Sequence, residues 1–323
     1  MRDHVHHQIG RRTFLLGAAA VGVAAGAATG AGTAAAGAPA RPRRPSELVR
    51  SVGRLEVLAL YDATGPFFVT RGEAFPEASA DDWARAAWRD PAAFGPDGTW
   101  NLDFRCYAIR RPGGRVVLVD TGVGPAGSPA SGWAPVPGRL PEELAAAGID
   151  PSDVDTVVLT HIHSDHIGWS VSPDGVPTFP HARYVVQRTE LAAVEAGGNE
   201  AAMSWTVEPL RRTGQLHAVD GRYALVGDGG LAGRAGERIT LVPTPGHTPG
   251  HQSVLVEGDH RRILVTGDVL VHAVQLINPA VGYVYEDDQE AARQTRRRVL
   301  TDAAEHRALL ATNHLRQPFV TAC

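Results

Sequence analysis

The densest chemistry in the sequence is His161-Ile162-His163-Ser164-Asp165-His166, where four potential metal ligands fall within six residues. The run directly follows Asp155-Thr156-Val157-Val158-Leu159-Thr160, whose β-branched pattern predicts a buried strand. In a loop leaving that strand, His161 and His163 can face one side while Asp165 and His166 serve a neighbouring position. Imidazole and carboxylate donors suit zinc, which tolerates open coordination positions. A lone histidine is more often a satisfied core or surface residue, but four donors packed this closely point to a metal. Later segments supply partners. Thr244-Pro245-Gly246-His247-Thr248-Pro249-Gly250-His251 sets a histidine in a rigid Pro/Gly turn after a strand. Thr266-Gly267-Asp268 ends another strand with a carboxylate, and Asn313-His314 follows the last one.

The elements that must position these residues are legible from period and punctuation. Leu55–Tyr61 alternates as a strand, and Phe104–Ile109 and Arg115–Val119 flank Pro112-Gly113-Gly114 as a hairpin. Further strands are predicted at 183–187, 238–242, 252–256, 262–266 and 308–311. Helices are predicted at 79–88, with Trp83 and Trp88 on one apolar face, and near 188–196, 199–212 and 287–305. A short helix over 140–147 has Pro141 in its first turn and Gly148 as its stop. Early hairpins followed by mixed strands and helices fit an α/β protein of two sheets with helices outside. The Pro/Gly-rich stretch Gly122–Gly138 reads as a loop and a candidate wall of the site.

Composition narrows the partners. Apolar residues make up 43% and charged residues 20%, an ordinary balance for a chain that buries a large core. Gly10-Arg11-Arg12-Thr13-Phe14-Leu15-Leu16, followed by an Ala/Gly-rich stretch, resembles a twin-arginine export signal. Ala38-Pro39-Ala40 offers a cleavage site, with Ala34-Ala35-Ala36 as the alternative. The expected organisation is a signal peptide over 1–40, a linker over 41–53 and a metal-binding domain over 54–323, exported to the cell envelope or beyond. Losing Arg2, Asp3, Arg11 and Arg12 with the leader takes the formal charge from −4 to about −6. Such a chain is a poor fit to nucleic acid or to stable membrane insertion, and a good fit to a small-molecule substrate. A homodimer is left open. Cys106 reads as a small buried hydrophobe, and its pairing with Cys323 is left open too.

The order HxHxDH, TPGH, GD and a final His resembles the dinuclear metallo-β-lactamase superfamily, over about residues 55–320. The resemblance implies an αββα sandwich of two mixed β-sheets with outer helices. It implies two zinc ions, with iron, manganese and cobalt as alternatives. By motif, His161, His163 and His247 would hold the first metal, Asp165, His166 and His314 the second, and Asp268 would bridge them. Val119-Asp120-Thr121-Gly122 matches the family's VDTG turn, which gives Asp120 a supporting role, and His251 falls outside the ligand pattern. The nearest branch is that of lactonases and organophosphate (methyl parathion) hydrolases, whose stretch after the bridging aspartate resembles Gly267–Leu276. Two departures bear on the pocket. Trp169 stands where a second glycine is usual, and Arg316-Gln317 interrupts the branch's HLPFPG tail.

Two divalent ions a few ångströms apart can share a hydroxide at neutral pH and polarise a scissile acyl or phosphoryl oxygen. Hydrolysis of an ester, lactone or phosphotriester follows, with Asp268 setting the metal spacing and Asp165 relaying a proton to the leaving group. Candidate pocket residues are Trp133, Trp169 and His272, with Phe67, Phe68 and Trp205 among the aromatics to be placed. The competing readings are a β-lactam hydrolase, a non-haem iron oxidoreductase on the same fold, an RNA-processing nuclease and a metal-holding scaffold. Asp268 counts against the first, the acidic balance against the nuclease, and the complete ligand set against the scaffold.

Overall fold

Strand β2 (Leu55–Pro66) shows how a period of two builds the layers: Leu55, Val57 and Ala59 join one apolar cluster while Leu58 and Leu60 join another. Residues 48–226 and 236–322 are described, in a computed structural model. One sheet has the order β1 (Val49–Val52), β2, β3 (Asn101–Arg110), β4 (Val116–Val119), β5 (Val154–Val158), β6 (Arg183–Gln187), β7 (Leu216–Val219). Neighbours from β1 to β4 are antiparallel, and β4 to β7 run parallel. The second sheet has the order β13 (Phe319–Thr321), β12 (Leu309–Ala311), β11 (Arg261–Val265), β10 (Gln252–Gly258), β9 (Arg238–Pro243), β8 (Tyr223–Val226). Only its β11–β12 pair is parallel.

Val57, Ile109, Val117 and Val158 of the first sheet share one buried cluster with Ile239, Val254, Val256 and Ile263 of the second, so the sheets pack face to face. Each such side chain, fully buried, contributes roughly 1.5–3 kcal/mol. The outer faces are covered by helices. Leu144 and Leu191 bring Leu140–Ala146 and Arg188–Gly197 onto the first sheet, and Val299, Leu300 and Ala303 bring Gln289–Glu305 onto the second. Two mixed sheets between helices make the αββα sandwich that the sequence led us to expect. We label the longer helices α1 (Ala80–Arg89), α2 (Leu140–Ala146), α3 (Arg188–Gly197), α4 (Ala273–Ile277) and α5 (Gln289–Glu305).

Several expectations change. The segment 41–53 is not linker to its end, because Val49–Val52 pairs with Leu55–Leu58 as β1 and buries Val52. Trp88 does not share an apolar face with Trp83: it is 85% exposed, since five residues carry it roughly 140° around the helix. The helix expected over 199–212 forms without a break in its right-handed backbone, but Glu200–Ala202 and Glu208–Arg212 are joined by a π-turn at Met203–Val207. Pro209 has no N–H to continue the α pattern there. Cys106 is buried in the first sheet, and burial raises its thiol well above the usual range. The leader over 1–40 and the terminal Cys323 lie outside the described residues. No helix among the described residues is long and apolar enough to cross a membrane.

Candidate metal centre

Strand ends bring the donors to one place. His161 follows the end of β5 by three residues, His247 that of β9 by four, Asp268 that of β11 by three and His314 that of β12 by three. The turns need their glycines. Gly246 lies at φ 133°, and a Cβ there would fall 2.2 Å from the Ala292 nitrogen on α5. Gly267 lies at φ 54°, with His251 Nε2 where a Cβ would need room.

His163 Nδ1 lies 3.0 Å from His161 Nε2 and 2.9 Å from His247 Nε2, so three imidazole nitrogens converge. A few ångströms away, Asp165 Oδ2 lies 3.5 Å from both His166 Nε2 and His314 Nε2. Asp268 stands between the two trios. Its Oδ1 is 3.4 Å from His166 Nε2 and 3.2 Å from His314 Nε2, while its Oδ2 is 3.3 Å from His247 Nε2 and 3.9 Å from His161 Nε2. All seven residues named from the sequence thus fall into three overlapping groups of metal-ligating geometry.

Tautomers show why these donors fit a cation. Asp120 Oδ2 accepts from His166 Nδ1 (2.9 Å), and the Asp103 carbonyl accepts from His314 Nδ1 (2.9 Å). The Thr160 hydroxyl donates to Asp120 Oδ2 (2.9 Å), so His161 Nδ1 donates to that hydroxyl in turn (3.0 Å). These three imidazoles therefore aim an Nε2 lone pair inward, whereas His163 presents its Nδ1. His166 Nε2 and Asp268 Oδ1 are buried without a hydrogen-bond partner, a costly arrangement that divalent ions would relieve. Electrostatics divide the histidines: burial opposes charge on His166 and His314, but Asp268 and Asp165 outweigh it and push both up. Burial opposes charge on Asp268, but His314, His166 and His247 outweigh it and hold the carboxyl well below its usual range. Burial pushes the His247 and His161 imidazoles well down, as neutral ligands require.

The supporting residues are placed with equal clarity. Asp120, at φ 60°, also accepts from the Thr160 N–H (2.8 Å) and Asn313 Nδ2 (3.0 Å), tying the β4, β5 and β12 ends together. His251 Nε2 accepts from the Asp268 N–H (2.9 Å), and burial lowers its pKa to about 4. Sequence reasoning missed four contributors that carry no motif. Glu190 on α3 accepts from the Ile162 N–H (2.9 Å), the Thr248 hydroxyl (2.7 Å) and the Gly250 N–H (3.1 Å), joining the two histidine loops. Tyr283 lies parallel to the His247 ring at 6.2 Å and 9°. Arg105 donates to the Thr312 and Leu315 carbonyls on either side of His314. Asp62 closes the neck of the 122–138 loop. The tail's Arg316 pairs with Asp103, the residue whose carbonyl holds His314 (Nη1 to Oδ1, 2.5 Å).

The pocket candidates separate. Trp133 stays near the site: its indole N–H donates to Ser164 Oγ (3.1 Å), and its ring meets Phe67, Phe68 and Phe104 at 5.6–5.7 Å. Trp169 turns its indole to Asp62 Oδ1 (3.0 Å) and packs on the core beneath. Trp205 packs on that core as well, donating to the Gly168 carbonyl. His272 is buried in a box of Phe75, Trp83, Phe94 and Trp100, where its Nδ1 caps α4 by accepting from the Val274 N–H. An imidazole enclosed by four rings has no access to substrate.

Comparison with known proteins bears on the family and the fold. Residues 105–309 match the family model described as the metallo-beta-lactamase superfamily. The chain is 30% identical over 179 residues to an N-acyl homoserine lactonase, AttM, of Agrobacterium fabrum, an alignment covering 54% of this chain and 62% of that protein. The match thus spans about three fifths of the relative's length. Two solved structures share the fold. The hydrolase AbOPH of the beta lactamase superfamily aligns with TM-score 0.67 at 24% identity, covering 85% of this chain and 92% of that one. AidC, a dizinc quorum-quenching lactonase in complex with its product N-hexanoyl-L-homoserine, aligns with TM-score 0.65 at 20% identity, covering 84% and 90%.

Proposed function

The chain belongs to the metallo-beta-lactamase superfamily, and from that membership we propose that it is a dinuclear metal-dependent hydrolase of a lactone, ester or phosphotriester. The observation that carries the reading is Asp268, whose two carboxylate oxygens each face the Nε2 atoms of a different histidine group. Two divalent ions, zinc by the donor chemistry, held by His161, His163 and His247 and by Asp165, His166 and His314 with Asp268 between, would supply activated water and polarise the scissile group. The chain's own residues do the rest. His163 and Asp165 are less buried than His161, His166 and Asp268, so substrate approaches from their side. Asp165 is placed to pass a proton to the leaving oxygen. Normal turnover by Asp165→Asn with its full metal content would refute that relay.

Likeness to a lactonase over 179 residues makes lactones the first class to try. Purified zinc-loaded protein should turn over at least one of a lactone, an aryl ester and an aryl phosphotriester. Chelation should abolish that rate and added metal restore it. Turnover that survives chelation, or turnover of β-lactams alone, contradicts the reading. From the sequence alone, residues 1–40 act in this proposal as a twin-arginine leader that sends the folded enzyme out of the cytoplasm.

A further inference from the structure

The 122–138 loop is closed at its neck by one buried carboxylate. Asp62, fully buried at the far part of β2, accepts from the Val123 N–H (2.6 Å) as the loop begins and from the Leu140 N–H (2.8 Å) just past its end. Its carbonyl accepts from the Arg139 N–H (2.8 Å), and Gly138 N–H donates to the Gly124 carbonyl across the neck (2.8 Å). Gly122 and Gly138 leave no space for a side chain, because a Cβ on either would fall 2.1–2.2 Å from an Asp62 oxygen. The third donor to that carboxylate is Trp169 Nε1 (3.0 Å). Trp133 stands at the far end of the same loop, bonded to Ser164 between the donors His163 and Asp165. Its ring meets Phe104, which packs edge-on against His314 at 5.6 Å. Phe68, beside Trp133, is 51% exposed.

We propose that Asp62, with Trp169, is the positioning clasp that holds the Trp133 wall against the metal turn and so selects substrates carrying a bulky apolar group beside the scissile bond. The proposal deepens the hydrolase reading and rests on it for its substrate arm. Asp62 touches no metal donor and acts through the loop and through Trp169, three residues past His166. Replacing its carboxylate by an amide sets an N–H₂ against N–H donors, which opens the neck while keeping the size of the side chain.

Full-length Asp62→Asn and the milder Trp169→Phe test this in two independent arms. In hydrogen exchange, amides of 123–140 should exchange faster in Asp62→Asn, with the 161–166 turn and the bound metal unchanged. In turnover, KM for 4-nitrophenyl octanoate should rise roughly tenfold, the scale of one lost charged hydrogen bond. KM for 4-nitrophenyl acetate and kcat for both should stay within about twofold. Trp169→Phe should move the same quantities by less, and Trp133→Ala should raise the octanoate KM without opening the neck. Unchanged exchange at 123–140 overturns the clasp whatever the turnover shows. Equal losses on both esters, or loss of metal, overturns it in favour of a structural role for Asp62. If the wild type cleaves neither ester, nor any lactone or phosphotriester, the hydrolase reading fails and the exchange arm alone decides the clasp.

Discussion

At the scale of single residues, Trp133 keeps its place beside the metal turn through Ser164, while His272 is enclosed by four aromatic rings. His161, His163, Asp165, His166, His247, Asp268 and His314 could be named because metal donors are rare types at short fixed spacings. Their convergence in space is what the structure adds. His272 was misplaced because a histidine near a site in sequence can turn either way from its strand end. His272 carries a prediction of its own. Burial, then the nearby Arg71, lowers its pKa from 6.5 to about 3. A histidine whose folded pKa is lowered contributes stability that is full above its unfolded pKa and is lost as pH falls toward the folded one. The loss reaches about 1.4 kcal/mol per pH unit in that window. His272→Phe should therefore flatten the fall in urea-unfolding free energy between about pH 6 and pH 4 by roughly that slope. An acid limb as steep as the wild type's would show that His272 is not the neutral buried group described.

At the scale of elements, strands with clean alternation and helices with clear stops were readable, as β2, β5, β10 and α2 show. The strands that escaped were short: β1, β7, β8 and β13 have only three or four residues each, too few for a period to register. Cross-element ties left no trace in local sequence. Glu190 sits on a helix surface by pattern, yet its carboxylate, buried with the rest of the side chain, satisfies donors on both histidine loops. Glu190→Gln keeps the shape and removes one acceptor, leaving a buried donor unmatched at a cost of about 1–3 kcal/mol. Chemical denaturation should register that loss, accompanied by weaker metal retention because the Ile162 and Thr248 loops are no longer tied. Wild-type stability and wild-type metal affinity together would show that the two loops hold their place without Glu190.

At the scale of the whole molecule, the layer order was legible because hairpins at the start and alternating strands and helices later allow few arrangements. The face-to-face packing of the two sheets needed the structure, since the residues of the cluster they share are apolar whichever partner they meet. The leader proposal belongs to this scale. Arg11→Lys with Arg12→Lys should leave the protein in the cytoplasm of its host, folded and carrying metal, while the wild type is recovered outside it. Equal recovery of both outside the cytoplasm would refute the twin-arginine route.

The claim on which the rest depends is that Asp268 stands between two metal positions. Titrating metal-free protein with zinc while following turnover of the best substrate from the panel tests it most directly. A two-metal site predicts that activity climbs to a plateau at two equivalents, and that His314→Ala binds one ion tightly with little activity. A plateau at one equivalent, or turnover indifferent to added metal, would contradict it.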